Sequence, residues 1–217
     1  MKAFIFDMNG TMIDDMHYHA DAWYKVFQSL GCTKTAEESK LHIYGKAAEI
    51  FERMLGEGHG FSEEEMEAIS RKKEIQYQKD FLPDLKLIRG LDNFLKNAHL
   101  KKIPMSIGTA APRSNVDYVY TNLPVEKFFC GYICADEVEK SKPDPEVFLK
   151  CAKLMQVAAE DCIVFEDSPM GIRAAANAGM KAVAITTFHP KEDFEDYNNI
   201  LLIIDDFEDE RLSALLK

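Results

Sequence analysis

The sequence predicts an α/β fold in which a parallel sheet carries an inserted helical domain. From about residue 91 onward, short apolar runs alternate with helical patterns, as in a parallel sheet whose strands are joined by crossover helices. Between Asp14 and about Lys86, apolar residues instead recur with helical spacing and no convincing strand is found. These two sequence patterns indicate a sheet domain interrupted by a helical insertion.

The first predicted strand ends in a carboxylate. Its apolar residues, Phe4–Phe6, lead directly into Asp7, and Gly10 then allows the backbone to turn away sharply. In a buried parallel strand a charge is tolerable at the carboxyl end, where open α/β sheets place their ligand crevices. We therefore predict that Asp7 is a catalytic residue.

Five later apolar runs are predicted to form the remaining strands. They are Ile103–Gly108, Cys130–Cys134, Cys162–Glu166, Ala182–Ile185 and Leu201–Ile204. Helix-start signals lie between them, such as Pro169 directly after Ser168. The spacing predicts crossover helices between the strands.

The insertion has its own helical signals. Trp23 and Phe27 fall on one helical face, and Ser62 followed by Glu65 reads as a capping box that opens a long charged helix through about Asp80. We assign residues 1–13 and 88–217 to the core domain and residues 14–87 to a helical cap domain. Because the insertion directly follows the strand that ends in Asp7, we expect it to act as a lid.

Charge and composition exclude several classes of protein. The 217-residue chain has a formal net charge of −11, which opposes nonspecific binding to nucleic acid. Its apolar runs are far shorter than the roughly 20 residues of a membrane span, and no secretion signal is found. We expect a cytoplasmic monomer that binds neither nucleic acid nor a membrane.

The five cysteines form no CxxC pair, and most have apolar neighbours. An odd number of cysteines without a secretion signal favours a reducing compartment. The spacing of Cys130 and Cys134, with no histidine nearby, argues against a zinc site. We predict that they are small core residues.

Four separated segments place polar side chains at strand ends or helix starts. These side chains are Asp7, Thr109, Lys142, Glu166 and Asp167. Hard carboxylate oxygens bind Mg²⁺, while an ammonium and a hydroxyl group can hold phosphoryl oxygens. The combination predicts a site for a phosphate and a divalent cation.

The order of these motifs resembles the haloacid dehalogenase (HAD) superfamily of aspartate-nucleophile phosphotransferases. The motifs are Asp7-Met8-Asn9-Gly10-Thr11, then Thr109, then Ser141–Pro145, then Glu166–Ile172. With a helical cap after the first motif, the chain is similar to the beta-phosphoglucomutase-like subgroup over essentially its whole length. The resemblance implies a Rossmann-like parallel-sheet core with an inserted helical cap.

The resemblance also implies roles for individual residues. Asp7 would be the nucleophile that takes the phosphoryl group as an aspartyl phosphate. The metal site for Mg²⁺ would comprise Asp7, the backbone carbonyl of Asn9, Asp167, and Glu166 either directly or through water.

Two further positions resemble the phosphate-binding part of the family pattern. Thr109 and the backbone of Ala110 would hold phosphate oxygens, while Lys142 would pair with Asp7 and offset developing negative charge. Taken singly, Thr109 would more often be a strand-end cap and Lys142 a surface lysine, so the prediction rests on the ordered combination.

The cap positions of the pattern are His19, Trp23, Gly45 and Lys73, which would lie near the substrate. Helix packing for Trp23 and a hydrogen-bonded, partly buried side chain for His19 are equally compatible with the sequence. Ala48 stands where the mutase pattern has an arginine that grips a second phosphate. A neighbouring lysine, Lys46, lacks the bidentate fork of arginine.

Asn9 is the larger departure, because the family places a second aspartate there as general acid and base. That role is typically worth ~10²–10⁴-fold in rate, and an amide cannot perform it. Three explanations stay open: an engineered substitution, a natural member with altered activity, or another proton carrier such as Asp15 or His19.

From the sequence we expect a Mg²⁺-dependent HAD-like hydrolase, a phosphatase or phosphotransferase, that acts on a small phosphorylated metabolite such as a sugar phosphate. Hydrolysis is favoured over beta-phosphoglucomutase-type action because the second-phosphate arginine is missing. A haloacid dehalogenase would leave the pair Glu166 and Asp167 unexplained. A noncatalytic phosphate-binding protein is the remaining alternative, and Asn9 is its best support.

Overall fold

The structure, a computed structural model, describes residues 2–40 and 42–217. The chain forms two compact units. The first comprises Met1–Asp14 and Lys86–Lys217, and the second comprises Asp15–Leu85. We call them the core unit and the cap unit.

Within its described residues, the core unit contains one sheet of six parallel strands. The strands are β1 (Ala3–Phe6), β2 (Met105–Gly108), β3 (Tyr132–Ile133), β4 (Cys162–Glu166), β5 (Lys181–Ile185) and β6 (Ile200–Ile204). Their order across the sheet is β3-β2-β1-β4-β5-β6, and each neighbouring pair is parallel. The α/β fold predicted from the sequence is confirmed.

The strand β3 is shorter than the predicted run Cys130–Cys134, since only Tyr132 and Ile133 pair with β2. The backbone turns at Cys134, whose N–H donates to the Glu137 carboxylate over 3.0 Å. Cys130 is exposed, whereas the other four cysteines are buried. The prediction of core cysteines is therefore wrong for Cys130, which precedes a short edge strand.

Eight α-helices are found in the described part of the chain, four in each unit. They are α1 (Met16–Ser29), α2 (Ala36–Lys40), α3 (Ala47–Leu55), α4 (Glu63–Phe81), α5 (Leu91–Leu100), α6 (Arg113–Asn122), α7 (Glu146–Met155) and α8 (Pro169–Asn177). Within residues 2–40 and 42–217, no helix is both long and apolar enough to cross a membrane.

The sheet is buried on both faces. On one face the rings of Phe6 and Phe165 stack with their centroids 4.6 Å apart, and on the other face Ile5 and Val164 join a buried cluster with Phe148. Every residue of β1 is completely buried. This two-sided burial explains why the first strand is apolar until it reaches Asp7.

The position of Asp7 follows from strand order and register. The strand order reverses beside β1, because β2 lies on one side and β4 on the other, and such switch points form ligand crevices at the carboxyl ends of strands. Phe6 is paired with Phe165, and the Asp7 N–H donates to the Phe165 carbonyl over 2.9 Å. Asp7 therefore lies beside Glu166.

The cap unit has an aromatic core of its own. Trp23 and Phe27 of α1 stack at 5.4 Å, and Phe27 meets Phe51 of α3 edge-on at 5.0 Å. The predicted capping box is confirmed, because the Ser62 hydroxyl accepts from the Glu65 N–H and the Glu65 carboxylate accepts from the Ser62 N–H. The aromatic packing accounts for the helical spacing seen in the sequence.

Gly90 begins α5 in a left-handed conformation, with φ +81°, and packs against the backbone of the C-terminal segment. A Cβ there would lie 2.6 Å from the Phe207 carbonyl carbon. We expect Gly90→Ala to lower the free energy of unfolding by about 1–3 kcal/mol for the left-handed conformation, and further because the backbone contact must open. Urea denaturation measures the change.

Gly179 is the matched control, because its φ is +73° and a Cβ there would meet nothing within 4 Å. Gly179→Ala therefore carries the conformational cost without the overlap. Equal destabilisation by the two substitutions would contradict the close packing of Gly90 against Phe207.

Candidate active site

Three carboxylates meet at the carboxyl ends of β1 and β4. Each of Asp7, Glu166 and Asp167 offers an oxygen, and these oxygens lie within 4.8 Å of one another. All three side chains are at least nine-tenths buried. Burying three negative charges together is strongly unfavourable unless cations or hydrogen-bond donors compensate them.

Lys142 supplies the compensating charge seen in the structure. Its Nζ donates to Asp7 Oδ1 over 2.6 Å and to Glu166 Oε1 over 2.8 Å, and it lies 4.7 Å from the centre of the Phe148 ring. Burial by itself would lower the pKa of Lys142, but the charges of Asp7 and Glu166 outweigh it and raise that pKa. The side chain is therefore a permanent cation near neutral pH.

The loop that carries Lys142 is attached to α8. The Asn177 side-chain amide, at the last residue of α8, donates to the Pro143 carbonyl over 2.9 Å. At the other end of the same segment, the Glu146 N–H donates to the Asp144 carboxylate over 3.0 Å as α7 begins. These contacts hold the Lys142 backbone in place while its side chain spans two strands.

The start of α8 orients Glu166. Its Oε2 accepts from the Ser168 N–H at 2.6 Å and from the Ser168 hydroxyl at 2.9 Å, while that hydroxyl accepts from the Gly171 N–H as the helix N-cap. A Cβ at Gly171 would overlap the Glu166 carboxylate. The helix start therefore requires glycine there so that Glu166 can fold back against it.

Asp167 is held in a comparable way by the loop after β1. The Thr11 hydroxyl donates to Asp167 Oδ1 over 3.2 Å, and both side chains are buried. Gly10 has φ +74°, and a Cβ there would overlap the Asp167 carboxylate. The glycine of the first motif thus serves the backbone turn and the close approach of Asp167.

Thr109 is buried directly after β2, the neighbour of β1. Its N–H donates to the Ile133 carbonyl over 3.0 Å, and its hydroxyl accepts from the Ala111 N–H over 3.1 Å. Ala110 lies within the turn that this bond closes. The arrangement presents a hydroxyl and a tight backbone turn at the edge of the sheet where Asp7 lies.

Asn9 lies in the turn between β1 and the cap unit. It forms a bridge with Ile13, and the neighbouring Gly10 N–H donates to the Ile13 carbonyl over 2.8 Å. From the other side, the Thr187 hydroxyl donates to the Gly10 carbonyl over 2.5 Å. The turn is therefore anchored by its own backbone and by the segment after β5.

Sequence reasoning did not find Thr187. It follows β5 by two residues, so it lies at the same carboxyl edge as Asp7. The signal was available, because the rule that pointed to Thr109, a hydroxyl just after a strand, also applies to Thr187. What the sequence could not show is that Gly10 would be its partner.

The described residues contain one group of carboxylates placed to hold a metal ion, namely Asp7, Glu166 and Asp167. Three carboxylates that share the ammonium of Lys142 form a group with an excess of negative charge. All of the donors are hard oxygens, which suit a divalent cation such as Mg²⁺. Charge balance and donor chemistry both fit such a cation.

Within the cap unit, three of the four predicted substrate-facing residues are in contact with one another. Lys73 Nζ lies 2.7 Å from His19 Nδ1 and 4.9 Å from the centre of the Trp23 ring. Lys73 is also paired with Glu74 at 2.7 Å. Burial lowers the pKa of Lys73, against the opposing charges of Glu74 and Asp15. The fourth residue, Gly45, has φ +94°.

Asp15 and His19, the alternative proton carriers, also make contacts inside the cap unit. Asp15 is completely buried and accepts a short hydrogen bond from the Tyr77 hydroxyl. His19 Nε2 lies 3.5 Å from the Asp15 carboxylate, and the His19 ring stacks on Tyr77 at 3.9 Å. With Lys73 at Nδ1, both ring nitrogens of His19 have partners within the cap unit.

Thr187→Val should destabilise the core unit, because the buried Gly10 carbonyl loses its side-chain donor. The net contribution of one such hydrogen bond is about 0.5–1.5 kcal/mol, and urea denaturation would measure the loss. Thr187→Ser retains the hydroxyl and should recover most of the stability. If the serine variant were as unstable as the valine variant, the hydrogen bond to Gly10 would not be the source of the effect.

Comparisons with known proteins agree with this geometry. Residues 1–179 match the family model described as haloacid dehalogenase-like hydrolase. Fructose-1-phosphate phosphatase YqaB of Escherichia coli is 29% identical over 181 residues, which cover 83% of this chain and 94% of that protein. Beta-phosphoglucomutase of Bacillus subtilis is 28% identical over 195 residues, which cover 88% of this chain and 85% of that protein.

Solved structures show the same similarity. A HAD hydrolase of family IA, variant 3, from Entamoeba histolytica has a TM-score of 0.86 at 28% identity and covers 100% of this chain and 99% of its own. Beta-phosphoglucomutase from Clostridium difficile has a TM-score of 0.82 at 26% identity and covers 99% and 95%. The resemblance inferred from the motifs is confirmed: the chain belongs to the haloacid dehalogenase-like hydrolases.

Proposed function

We propose that this protein is a Mg²⁺-dependent phosphatase that acts on a phosphorylated sugar through an aspartyl phosphate on Asp7. One observation carries the proposal. Asp7, at the end of β1, is buried beside Glu166 and Asp167 and is held by Lys142 at 2.6 Å. A carboxylate in this setting is suited to attack an electrophile that brings its own negative charge together with a cation.

The metal would be held by Asp7, Glu166, Asp167 and the backbone carbonyl of Asn9, the set implied by the family motifs. The excess of negative charge in the carboxylate cluster supports this assignment. When bound, the cation would neutralise phosphoryl oxygens and lower the repulsion between a phosphate dianion and the Asp7 carboxylate. In a haloacid dehalogenase, where the aspartate attacks carbon, such a cluster would have no role.

The protein's own groups account for the remaining steps. Lys142 holds the Asp7 carboxylate and supplies a fixed positive charge, which offsets negative charge that develops on the transferring group. The Thr109 hydroxyl and the backbone of Ala110, at the end of β2, would bind the other phosphoryl oxygens. Asp7 directly follows β1 and Thr109 directly follows β2.

The substrate class rests on the relatives. Three of the four compared above are a fructose-1-phosphate phosphatase and two beta-phosphoglucomutases, whose names indicate phosphorylated sugars. We favour hydrolysis over mutase action because Ala48 provides no cation for a second phosphate. Retention of a bisphosphate intermediate would require such a group.

The cap residues His19, Trp23, Gly45 and Lys73 stay predictions as substrate contacts. We infer that His19, Trp23 and Lys73 act as one unit, because Lys73 contacts both the His19 ring and the Trp23 ring. A cation beside an indole ring suits a sugar phosphate, whose ring has an apolar face and whose substituents accept hydrogen bonds.

Asn9→Asp should raise the turnover of a sugar phosphate by about 10²-fold or more, the usual scale of general acid and base catalysis. The aspartate would protonate the sugar leaving group and then deprotonate water. A panel of sugar phosphates assayed with Mg²⁺ for released inorganic phosphate measures the effect. Asn198→Asp, at an exposed position, adds the same charge elsewhere and should leave the rate unchanged.

Equal rates for the wild type and Asn9→Asp on a good substrate would show that the amide at position 9 does not limit turnover. Isomerised sugar phosphate in place of inorganic phosphate would show mutase action and contradict the proposed hydrolysis.

Asp167→Asn should weaken Mg²⁺ binding by at least about 10-fold, or ~1.4 kcal/mol. The amide keeps the shape of the side chain but removes one negative charge from the cluster. Isothermal titration calorimetry measures the affinity, and circular dichroism checks the fold. Asp196→Asn, which removes an exposed carboxylate, is the matched control and should bind Mg²⁺ as the wild type does. Unchanged affinity in Asp167→Asn would refute the metal site.

A further inference from the structure

We propose that the chain retains the phosphoryl group that it accepts, so that acyl phosphates convert it to a long-lived phosphoprotein modified on Asp7. The inference rests on the proposed function, because it assumes that Asp7 is the phosphoryl acceptor. It goes beyond that function by assigning a donor class and a stable product. The two halves of the reaction make different demands on the residue at position 9.

The first half needs no proton when the donor is an acyl phosphate. A carboxylate oxygen of Asp7 attacks phosphorus, and the bond between phosphorus and the acyl oxygen breaks. The bonding electron pair leaves with that oxygen as a carboxylate, such as acetate. Carboxylic acids of this kind have ordinary pKa values near ~4 and are ionised at neutral pH. The amide of Asn9 is therefore no obstacle to phosphorylation of Asp7.

The second half does need a proton acceptor. Water attacks phosphorus, the bond between phosphorus and the Asp7 oxygen breaks, and the electron pair returns to the Asp7 carboxylate. The attacking water must lose a proton as inorganic phosphate forms. An aspartate at position 9 could accept that proton, whereas the Asn9 amide has no basic group.

The other polar groups around Asp7 have structural partners. Lys142 is a cation that already donates to Asp7 and Glu166. Glu166 accepts from the N–H and hydroxyl of Ser168, and Asp167 accepts from Thr11. Each of these carboxylates also belongs to the cluster that suits a cation. The family pattern has its base at position 9, and in this chain position 9 carries an amide.

The two residues that could substitute for this base are engaged inside the cap unit. Asp15 is completely buried and accepts from the Tyr77 hydroxyl. The ring nitrogens of His19 lie 2.7 Å from Lys73 Nζ and 3.5 Å from the Asp15 carboxylate. Activation of water by His19 would require it to give up one of these contacts. The local structure favours retention of the phosphoryl group.

The test uses the full-length protein with Mg²⁺ and acetyl phosphate labelled in its phosphoryl group. After rapid removal of the donor, intact-protein mass spectrometry follows the label on the protein, and released phosphate is counted in parallel. We expect about one phosphoryl group per chain for the wild type and none for Asp7→Ala. Loss of the label should be at least ~10²-fold slower in the wild type than in Asn9→Asp. Asn198→Asp should retain the label as the wild type does.

The outcomes separate this inference from the proposed function. If the wild type loses its label as fast as Asn9→Asp while both release phosphate, the inference is wrong and the proposed phosphatase stands. If the label lies on a residue other than Asp7, the inference is also wrong. If Asn9→Asp neither takes up label nor releases phosphate from acetyl phosphate or any sugar phosphate, the proposed function fails and the inference fails with it.

Discussion

Lys142 holds together a group of side chains that would otherwise repel one another. Asp7 and Glu166 end two neighbouring parallel strands, and Asp167 follows immediately, so the register of the sheet forces three carboxylates into one buried place. The ammonium group contacts two of them, at 2.6 and 2.8 Å. Removing one partner from such a buried ion pair typically costs about 3–5 kcal/mol. The geometry of the site depends on this contact.

Much of the surrounding sequence can be understood as accommodation of these charges. Gly10 and Gly171 have no side chain because the carboxylates of Asp167 and Glu166 fill the space where a Cβ would be. Ser168 serves two purposes, since it caps α8 and donates to Glu166. Small and hydroxyl-bearing residues are therefore needed beside these carboxylates because the carboxylates are buried. A cluster of charges on the surface would not require them.

Asn9 separates two properties that are usually combined in an aspartate-nucleophile enzyme. Nucleophilic attack depends on charge neutralisation and position, which Lys142 and the carboxylate cluster supply around Asp7. Proton transfer depends on a titratable group, which an amide does not provide. The backbone turn that carries Asn9 is anchored by the Thr187 hydroxyl at the Gly10 carbonyl.

The sequence by itself determined the alternation of strands and helices, the carboxylates at strand ends and the Ser62 capping box, because each follows from local periodicity or from a few neighbouring residues. Tertiary structure decided the rest. It limited β3 to two residues, exposed Cys130 at the sheet edge, and brought Lys142 to Asp7 across 135 positions of chain. It also paired Thr187 with Gly10 and joined Lys73 to His19. These contacts depend on distances between elements far apart in sequence, and no local pattern of residues encodes such distances.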